Sequence, residues 1–280
     1  MEEKTMLGKL IKYDLRSCFR KFWVLWAALA ALGVLNGFTI RYVLEKGQLG
    51  GFLTFLLGIL PIILMGVLVI AIGIMALVYI CERFYKGLLG DEGYLMFTLP
   101  ATTAEHIASK CIVALILEVI SALAAALTAF LVALVYDPSS LFEFLGQIPK
   151  WLAQIEFPRG TGWLIAEFVI LCLVVIAVSN LQIYQAIAIG HLGQKHRGGL
   201  ALLAYVGINM AVSILVGLLG DRSINRFVGM ISFSFDETGL HGVVSSIAGG
   251  LGVTLLWNLI LGAVFFFGTK LILDKKLNLE

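Results

Sequence analysis

The chain has 280 residues, of which 60% are hydrophobic and only 14% are charged, and its formal net charge at pH 7 is +2. A soluble domain of this length needs a larger charged surface, so these values exclude an ordinary soluble fold. The small net charge gives no indication of nucleic-acid binding, and the mean hydropathy of +0.99 is typical of a protein embedded in lipid.

Six apolar stretches are long enough to cross a bilayer, since a membrane-spanning helix needs about 20 mostly apolar residues. They are continuous, which favours helices over the short alternating strands of a membrane barrel. The sequence therefore predicts an all-α fold, with a six-helix transmembrane domain over residues 22–280. The predicted spans are 22–44, 54–80, 111–136, 163–189, 200–219 and 246–273.

Lysine and arginine are distributed unevenly between the two sides of these spans. The richer side holds the N-terminal segment, the connection 81–110, the connection after the fourth span and the C-terminal tail. Because cytoplasmic loops carry the excess of basic residues, both termini and 81–110 are predicted to be cytoplasmic, and 137–162 and 220–245 to be external loops. The four cysteines agree, because none lies in a predicted external loop where a disulfide could form.

Residues 1–21 form the first predicted element. Apolar residues recur at helical spacing from Met6 to Phe19, and basic residues occupy much of the opposite face. This pattern predicts an amphipathic helix that lies in the headgroup plane before the first span. A cleaved signal peptide ending near residue 32 is the less favoured alternative, because the apolar run continues to Leu44.

The connection 81–110, which we call the elbow, is the longest on the predicted cytoplasmic side. Glycines and a proline interrupt its helical pattern, and threonines then follow that can cap the helix entering span three. These residues are Gly87, Gly90, Gly93 and Pro100, followed by Thr102 and Thr103. We therefore expect a short helix between two turns.

The predicted external loops are not featureless. Loop 137–162 contains apolar residues at helical spacing, which Pro149 is expected to interrupt. This pattern indicates one or two interfacial helices, with Trp151 at the outer headgroups. Loop 220–245 is polar at its ends, and its apolar middle, 228–235, is expected to dip into the outer leaflet as a short hairpin.

The sequence contains no motif of an active site, a metal site or a nucleotide site. There is no His-Glu-x-x-His, no Gly-x-Ser-x-Gly and no Gly-x-x-x-x-Gly-Lys phosphate-binding loop. The neighbouring Glu105 and His106, and the pair His191 and His196, are too few for a metal site and are interpreted as solvated loop residues. We therefore expect no enzyme activity and no bound cofactor in this chain.

Polar side chains inside the predicted spans are candidates for a translocation path, because they are costly in lipid and usually face other helices or water. The candidates are Glu118 in span three, Glu167 near the outer end of span four, Ser179, Asn180, Gln182 and Gln185 in its inner half, Asn209 in span five and Asn258 in span six. The alternative is structural, with each residue making an interhelical hydrogen bond worth about 1 kcal/mol. Both interpretations remain open at this point.

Small residues in spans two and six are expected to let neighbouring helices approach closely. The glycines concerned are Gly58, Gly66 and Gly73 in span two, and Gly249 and Gly252 in span six.

Residues 82–100 resemble a segment of a known family. The chain reads Glu82-Arg83-Phe84-Tyr85-Lys86 and then Gly93-Tyr94-Leu95-Met96-Phe97-Thr98-Leu99-Pro100. Every position from Glu92 to Pro100 is similar to a run that follows span two in many ABC-2 type transporter permeases of Gram-positive bacteria. The basic N-terminal helix, the six spans and the chain length are also similar, but the motif does not indicate a substrate.

The resemblance implies a permease subunit of an ATP-driven exporter in a bacterial plasma membrane. The elbow would bind a separate ABC ATPase subunit, which would hold the ATP and Mg. The coupling residues implied are Glu82, Arg83, Phe84, Tyr85, Asp91, Glu92, Gly93, Tyr94, Phe97, Leu99 and Pro100. The four aromatic residues of this set are expected to face the ATPase rather than the core of this chain.

Further partners implied by the resemblance are membrane lipid and a second permease copy or a related permease, with the dimer seam at spans one, two and five. The expected cargo is amphipathic, such as a peptide, a drug or a lipid-linked molecule. One alternative is a membrane anchor or sensor subunit that does not transport. Another is a proton-coupled secondary transporter that uses Glu118, and an integral membrane enzyme is the least supported class.

Overall fold

A computed structural model describes residues 6–41, 51–90, 93, 98, 100–154, 161–193, 196–237 and 239–276. Within these ranges the side chains of 53–55, 152, 219–246 and 276 are not described. All regular elements in the described part of the chain are helical, and no strand occurs there. The predicted all-α fold is confirmed.

Seven long helices follow one another in the described residues. They are α1 (Met6–Thr39), α2 (Leu60–Phe84), α3 (Thr103–Tyr136), α4 (Pro138–Gln154), α5 (Thr161–His191), α6 (Arg197–Glu237) and α7 (Gly239–Lys276). A short helical turn, Gly51–Thr54, and a π-helical turn, Phe55–Ile59, precede α2, and a second π-helical turn, Tyr85–Leu89, follows it. All the long helices except α4 contain a stretch long and apolar enough to cross a membrane, so the chain is a multi-pass membrane protein.

The N-terminal segment and the first span form a single helix. Helix α1 runs for 34 residues without a break, so it is about 51 Å long, and the hydrocarbon core is only about 30 Å thick. The predicted amphipathic helix over 1–21 is therefore not a separate element, since the described residues 6–21 continue directly into the first span. Its position in the headgroup plane stays a prediction. No glycine or proline follows Gly8 until Gly33, so nothing in the sequence ends the helix at the expected boundary.

The two predicted external loops are also more helical than expected. Helix α4 continues through Pro149 as far as Gln154, so the expected interruption is wrong. Helix α6 extends to Glu237 and α7 begins at Gly239, so the predicted hairpin at 228–235 is wrong as well. The residues from 221 to 237 include no proline and a single glycine, which leaves the helix without a strong terminator.

Helix α4 begins with a capping arrangement around Asp137. Its Oδ1 accepts backbone hydrogen bonds from Ser139 N at 3.1 Å and Ser140 N at 3.3 Å. The hydroxyl groups of Ser139 and Ser140 donate to the same carboxylate at 2.5 and 2.6 Å. These hydrogen bonds, first those from the serine side chains, stabilise the ionised carboxylate and lower the pKa of Asp137 to about 2.

The chain divides into two compact units, each built from separate stretches of sequence. One consists of Met1–Leu10, Ile80–Leu115 and Phe157–Glu280, and contains α5, α6 and α7. The other consists of Ile11–Tyr79 and Ile116–Glu156. It contains α4 and most of α1, α2 and α3.

In the second unit, α1 and α3 run parallel and pack closely at glycines. A Cβ atom at Gly33 would lie 2.7 Å from Thr128 Cγ2, and one at Gly37 would lie 2.6 Å from Val135 Cβ. Asn36, buried between these glycines, donates from Nδ2 to the carbonyl of Pro61 at 3.1 Å. Any larger residue at Gly33 or Gly37 would push the two helices apart.

Most of the glycines that were predicted to allow close helix packing make no close contact with another helix in the described part of the chain. A Cβ atom at Gly66, Gly73 or Gly249 would meet nothing within 4 Å in the described part of the chain, so the prediction is wrong for these three. It is confirmed for Gly252, where a Cβ atom would lie 3.0 Å from Glu167 Oε1.

Candidate functional site

The elbow begins with a change in helix type at the end of α2. The backbone N–H of Gly90 donates to the carbonyl of Tyr85 at 2.8 Å, which closes the π-helical turn, and Gly93 N donates to Gly90 O at 2.8 Å. A Cβ atom at Gly93 would lie 2.7 Å from the carbonyl oxygen of Leu88. Glycine is therefore required at this position, because the backbone folds back on the preceding turn.

The other end of the elbow is a capping box that starts α3. Glu105 Oε2 accepts a hydrogen bond from Thr102 N at 2.7 Å, and Glu105 N donates to Thr102 Oγ1 at 3.3 Å. This reciprocal pair satisfies two backbone donors that a helix start leaves free. The prediction of a threonine cap is confirmed, with Thr102 as the cap.

Phe84 attaches the elbow to α5. Its ring stacks on that of Tyr184, with 4.2 Å between the centroids and 6° between the planes. Phe84 is 0% exposed and Tyr184 is 1% exposed. The prediction that Phe84 faces an ATPase was wrong, because the last turn of α2 points this residue into the protein's own core.

Tyr85, the next residue, is 36% exposed and lies edge-on to His191 at 6.0 Å between ring centroids. Beside it, Lys86 and Glu82 form an exposed ion pair one helical turn apart. Phe84 therefore packs into the protein core, while the side chains of Tyr85 and of the Glu82–Lys86 pair are accessible to solvent or to a partner.

Several of the predicted coupling residues lie outside the described residues. They are Asp91, Glu92, Tyr94, Phe97 and Leu99. Pro100 is described and exposed, and Arg83 is half-buried. The interpretation of this set as an ATPase-binding surface stays a prediction.

A buried polar layer lies under the π-helical turn. Lys110 is 3% exposed, and its Nζ lies 3.6 Å from the position that a Cβ atom would take at Gly87. His106 and Ser109 are fully buried in the same part of α3, with Ser109 Oγ donating to His106 O at 2.9 Å. The interpretation of His106 as a solvated loop residue was wrong. Burial at 106, 110, 113 and 117 follows helical spacing, but the residues at 106 and 110 are polar, so hydropathy did not reveal this buried face.

The elbow is also held to α7 and to the middle of α5. Thr103 Oγ1 donates to Asp274 Oδ1 at 2.6 Å, which joins the start of α3 to the end of α7. Cys111 Sγ lies 3.7 Å from the carbonyl oxygen of Ala177 on α5. With the Phe84–Tyr184 stack, these contacts tie the elbow to two membrane-spanning helices of the same unit.

The predicted path residues do not form one polar cluster. Ser179 and Asn209 are exposed and bond within their own helices, to Val175 O and Tyr205 O, each at 2.9 Å. Glu118 is half-buried in α3.

Gln182 and Gln185 are half-buried on α5. The amide of Gln185 lies 2.8 Å from the Cβ position of Gly268 on α7. Gln182 Nε2 and Gln185 Oε1 are buried and make no hydrogen bond within the described residues.

No protein-family model, curated protein or solved structure matches this chain. Among the residues that the structure describes, no group of three or more histidine, cysteine, aspartate or glutamate side chains is placed to hold a metal ion. The function must therefore be inferred from the elbow and from the sequence of this chain.

Proposed function

We propose that this chain is the transmembrane permease subunit of an ATP-driven ABC exporter in a bacterial plasma membrane. A separate ATPase subunit would bind the elbow and hydrolyse ATP with Mg, and the cargo would be an amphipathic peptide, drug or lipid-linked molecule. The observation that carries the proposal is the Phe84–Tyr184 stack, which joins the start of the elbow, where Tyr85 and Lys86 are exposed, to a membrane-spanning helix.

The physical reason concerns how the energy of ATP hydrolysis could be transmitted to the membrane-spanning helices. The sequence has no phosphate-binding loop, so energy from ATP can reach this chain only through contact with a partner. Such a contact moves a helix only if the receiving segment is itself ordered and attached to that helix. The two described ends of the elbow meet this requirement, the first through the π-helical turn and the second through the capping box and the bond from Thr103 to Asp274.

The proposal divides the coupling residues into two roles. Tyr85 and the Glu82–Lys86 pair are accessible and would contact the ATPase, where an aromatic side chain is a favourable anchor. Phe84 would transmit the movement to α5 through its stack. The resemblance at 82–100 supports the family assignment, and the assembly would hold two permease chains and two ATPases.

The test is purification of the tagged full-length chain from its own membranes in mild detergent. We expect an ATP-hydrolysing subunit to co-purify, and Tyr85→Ala to weaken its retention. Tyr13→Ala is the matched control, because Tyr13 is also exposed but lies on α1. Preparations that never contain ATPase activity would contradict the proposal.

Transport in inverted vesicles separates the remaining classes. We expect cargo uptake to require ATP and to survive collapse of the proton gradient. Uptake driven by the proton gradient and abolished by Glu118→Gln would instead identify a secondary transporter. ATPase binding without transport of any amphipathic cargo would indicate an anchor or sensor subunit.

A further inference from the structure

The N-terminal half of α1 carries its positive and negative charges on different faces. Between residues 6 and 21 the single acidic residue is Asp14, and its side chain is 3% exposed. Lys12, Arg16 and Arg20 are all exposed. They are spaced four residues apart, which places them within about 80° of rotation around the helix. We call these three residues the basic face.

Packing on the other side of α1 fixes the direction in which the basic face points. Phe22 is 2% exposed and lies edge-on to Tyr79 of α2, with 5.6 Å between the ring centroids. Lys21 Nζ lies 5.1 Å from the centroid of the same tyrosine ring. Cys18, one turn before Phe22, is 1% exposed. Rotation of α1 about its axis would break these contacts, so the basic face stays turned away from Tyr79.

The basic face has no partner among the described residues. Lys12, Arg16 and Arg20 make no ion pair or hydrogen bond in the part of the chain that the structure describes. Lys86 is different, because it forms an ion pair with Glu82. Three positive charges therefore lie close together on an exposed surface without a described carboxylate to neutralise them.

The basic face begins where the apolar part of α1 ends. No charged residue occurs from Phe22 to Thr39, and this stretch of helix is about 27 Å long, close to the thickness of the hydrocarbon core. Arg20 therefore lies at the edge of the hydrocarbon, and Arg16 begins about 6 Å further out, within reach of the lipid phosphates. Phe19 and Trp23 flank this boundary and are 41% and 59% exposed, as is typical of aromatic residues at a membrane interface.

The shape and the charge of the basic face match a layer of lipid headgroups. Its side chains form a strip about 12 Å long on a convex helix surface, and they do not converge on a pocket that would enclose one small anion. Exposed lysine and arginine side chains next to a membrane are attracted by the negative surface potential of anionic lipids. Exposed aromatic rings beside them favour the same location.

We propose that the basic face of α1 binds the headgroups of anionic phospholipids. The guanidinium groups of Arg16 and Arg20 and the ammonium group of Lys12 donate hydrogen bonds to phosphate oxygens, and Trp23 packs beside the glycerol region of the same lipids. No covalent bond forms or breaks. The inference does not depend on the transport function, because it concerns only the exposed surface of α1.

The experiment measures lipid binding to the purified full-length chain. The chain in mild detergent is incubated with equal amounts of phosphatidylglycerol and phosphatidylcholine, and the intact lipid–protein complexes are counted by mass spectrometry. We expect the wild-type chain to bind phosphatidylglycerol more tightly than phosphatidylcholine. This preference should decrease as the ionic strength rises, because salt screens exposed charges.

Single substitutions locate the binding to the basic face. Arg16→Gln should weaken the binding of phosphatidylglycerol about fivefold and leave the binding of phosphatidylcholine unchanged. The matched control is Lys21→Gln, which removes the same charge from the same helix. Because Lys21 lies over Tyr79 on the other side of α1, this variant should keep the wild-type preference.

Three results would overturn the proposal. The first is equal binding of the two lipids by the wild-type chain, which decides the matter even if Arg16→Gln does not fold. The second is an equal loss of phosphatidylglycerol binding in Arg16→Gln and Lys21→Gln, which would identify an effect of net charge. The third is an unchanged lipid preference in Arg16→Gln together with loss of a co-purified protein, which would identify a protein partner on this face.

Discussion

Replacing Phe84 with leucine distinguishes a residue that transmits movement from one that contacts the ATPase. The ring is 0% exposed and stacks at 4.2 Å on Tyr184, so leucine removes the aromatic pair and leaves part of the volume unfilled. We expect a loss of about 2 kcal/mol in the free energy of unfolding, which lowers Tm by about 4–8 °C. Differential scanning calorimetry in nanodiscs measures this loss.

The same variant should leave ATPase binding within about twofold of the wild type, because leucine at a buried position does not alter the accessible surface. Transport per ATP hydrolysed should fall, since the stack that joins the elbow to α5 is lost. Tyr85→Ala is the opposite case, with a smaller loss of Tm than Phe84→Leu, because Tyr85 is 36% exposed, and an ATPase affinity that falls about thirtyfold if Tyr85 is an interface anchor.

A different pattern would refute this reasoning. If Phe84→Leu weakens ATPase binding while Tm is unchanged, Phe84 faces the partner, as the sequence had suggested. If both variants lower Tm and neither affects the ATPase, the elbow only packs against the helix ends and has no coupling role. Both measurements should be made on one preparation, so that loss of folded protein is not mistaken for loss of binding.

Three further predictions concern topology, pH and packing. In a background without native cysteines, Lys150→Cys should react with an impermeant maleimide added to intact cells and Lys86→Cys should not; labelling of the latter would reverse the predicted orientation. The pKa of Asp137 is lowered to about 2, so its stabilising effect is present above its unfolded-state pKa and is lost as the pH falls through about 2, and Asp137→Asn should flatten an acid-unfolding curve in this range. Gly33→Ala should lower the free energy of unfolding by about 1–3 kcal/mol through overpacking, while Gly66→Ala, with nothing within 4 Å of its Cβ position, should be close to neutral; equal effects would contradict the packing described.

Features that depend on neighbours along the chain could be predicted from the sequence. The six spanning stretches depend on local hydropathy, and the capping box depends on residues three positions apart, Thr102 and Glu105. Helix ends were predicted less well, as the continuous α1 and the extended α6 show. Hydropathy indicates which residues cross the membrane, but it does not indicate where the helix itself ends. A helix ends at a helix-breaking or capping residue, and α1 contains no glycine or proline near its predicted boundary.

Burial depends instead on residues that are distant in sequence, and only the tertiary structure decided it. Phe84 and Tyr85 are adjacent aromatics, but the first is buried because Tyr184 lies against it. Gly33 is a tight contact and Gly66 is not, because α3 approaches the first and no described residue approaches the second. The enclosure of Glu167 likewise requires Gly252, which comes from another helix. The sequence by itself determined which segments are helical and apolar, because those properties are local. Which faces meet depends on packing between helices, and in lipid the hydrophobic effect does not select among apolar faces.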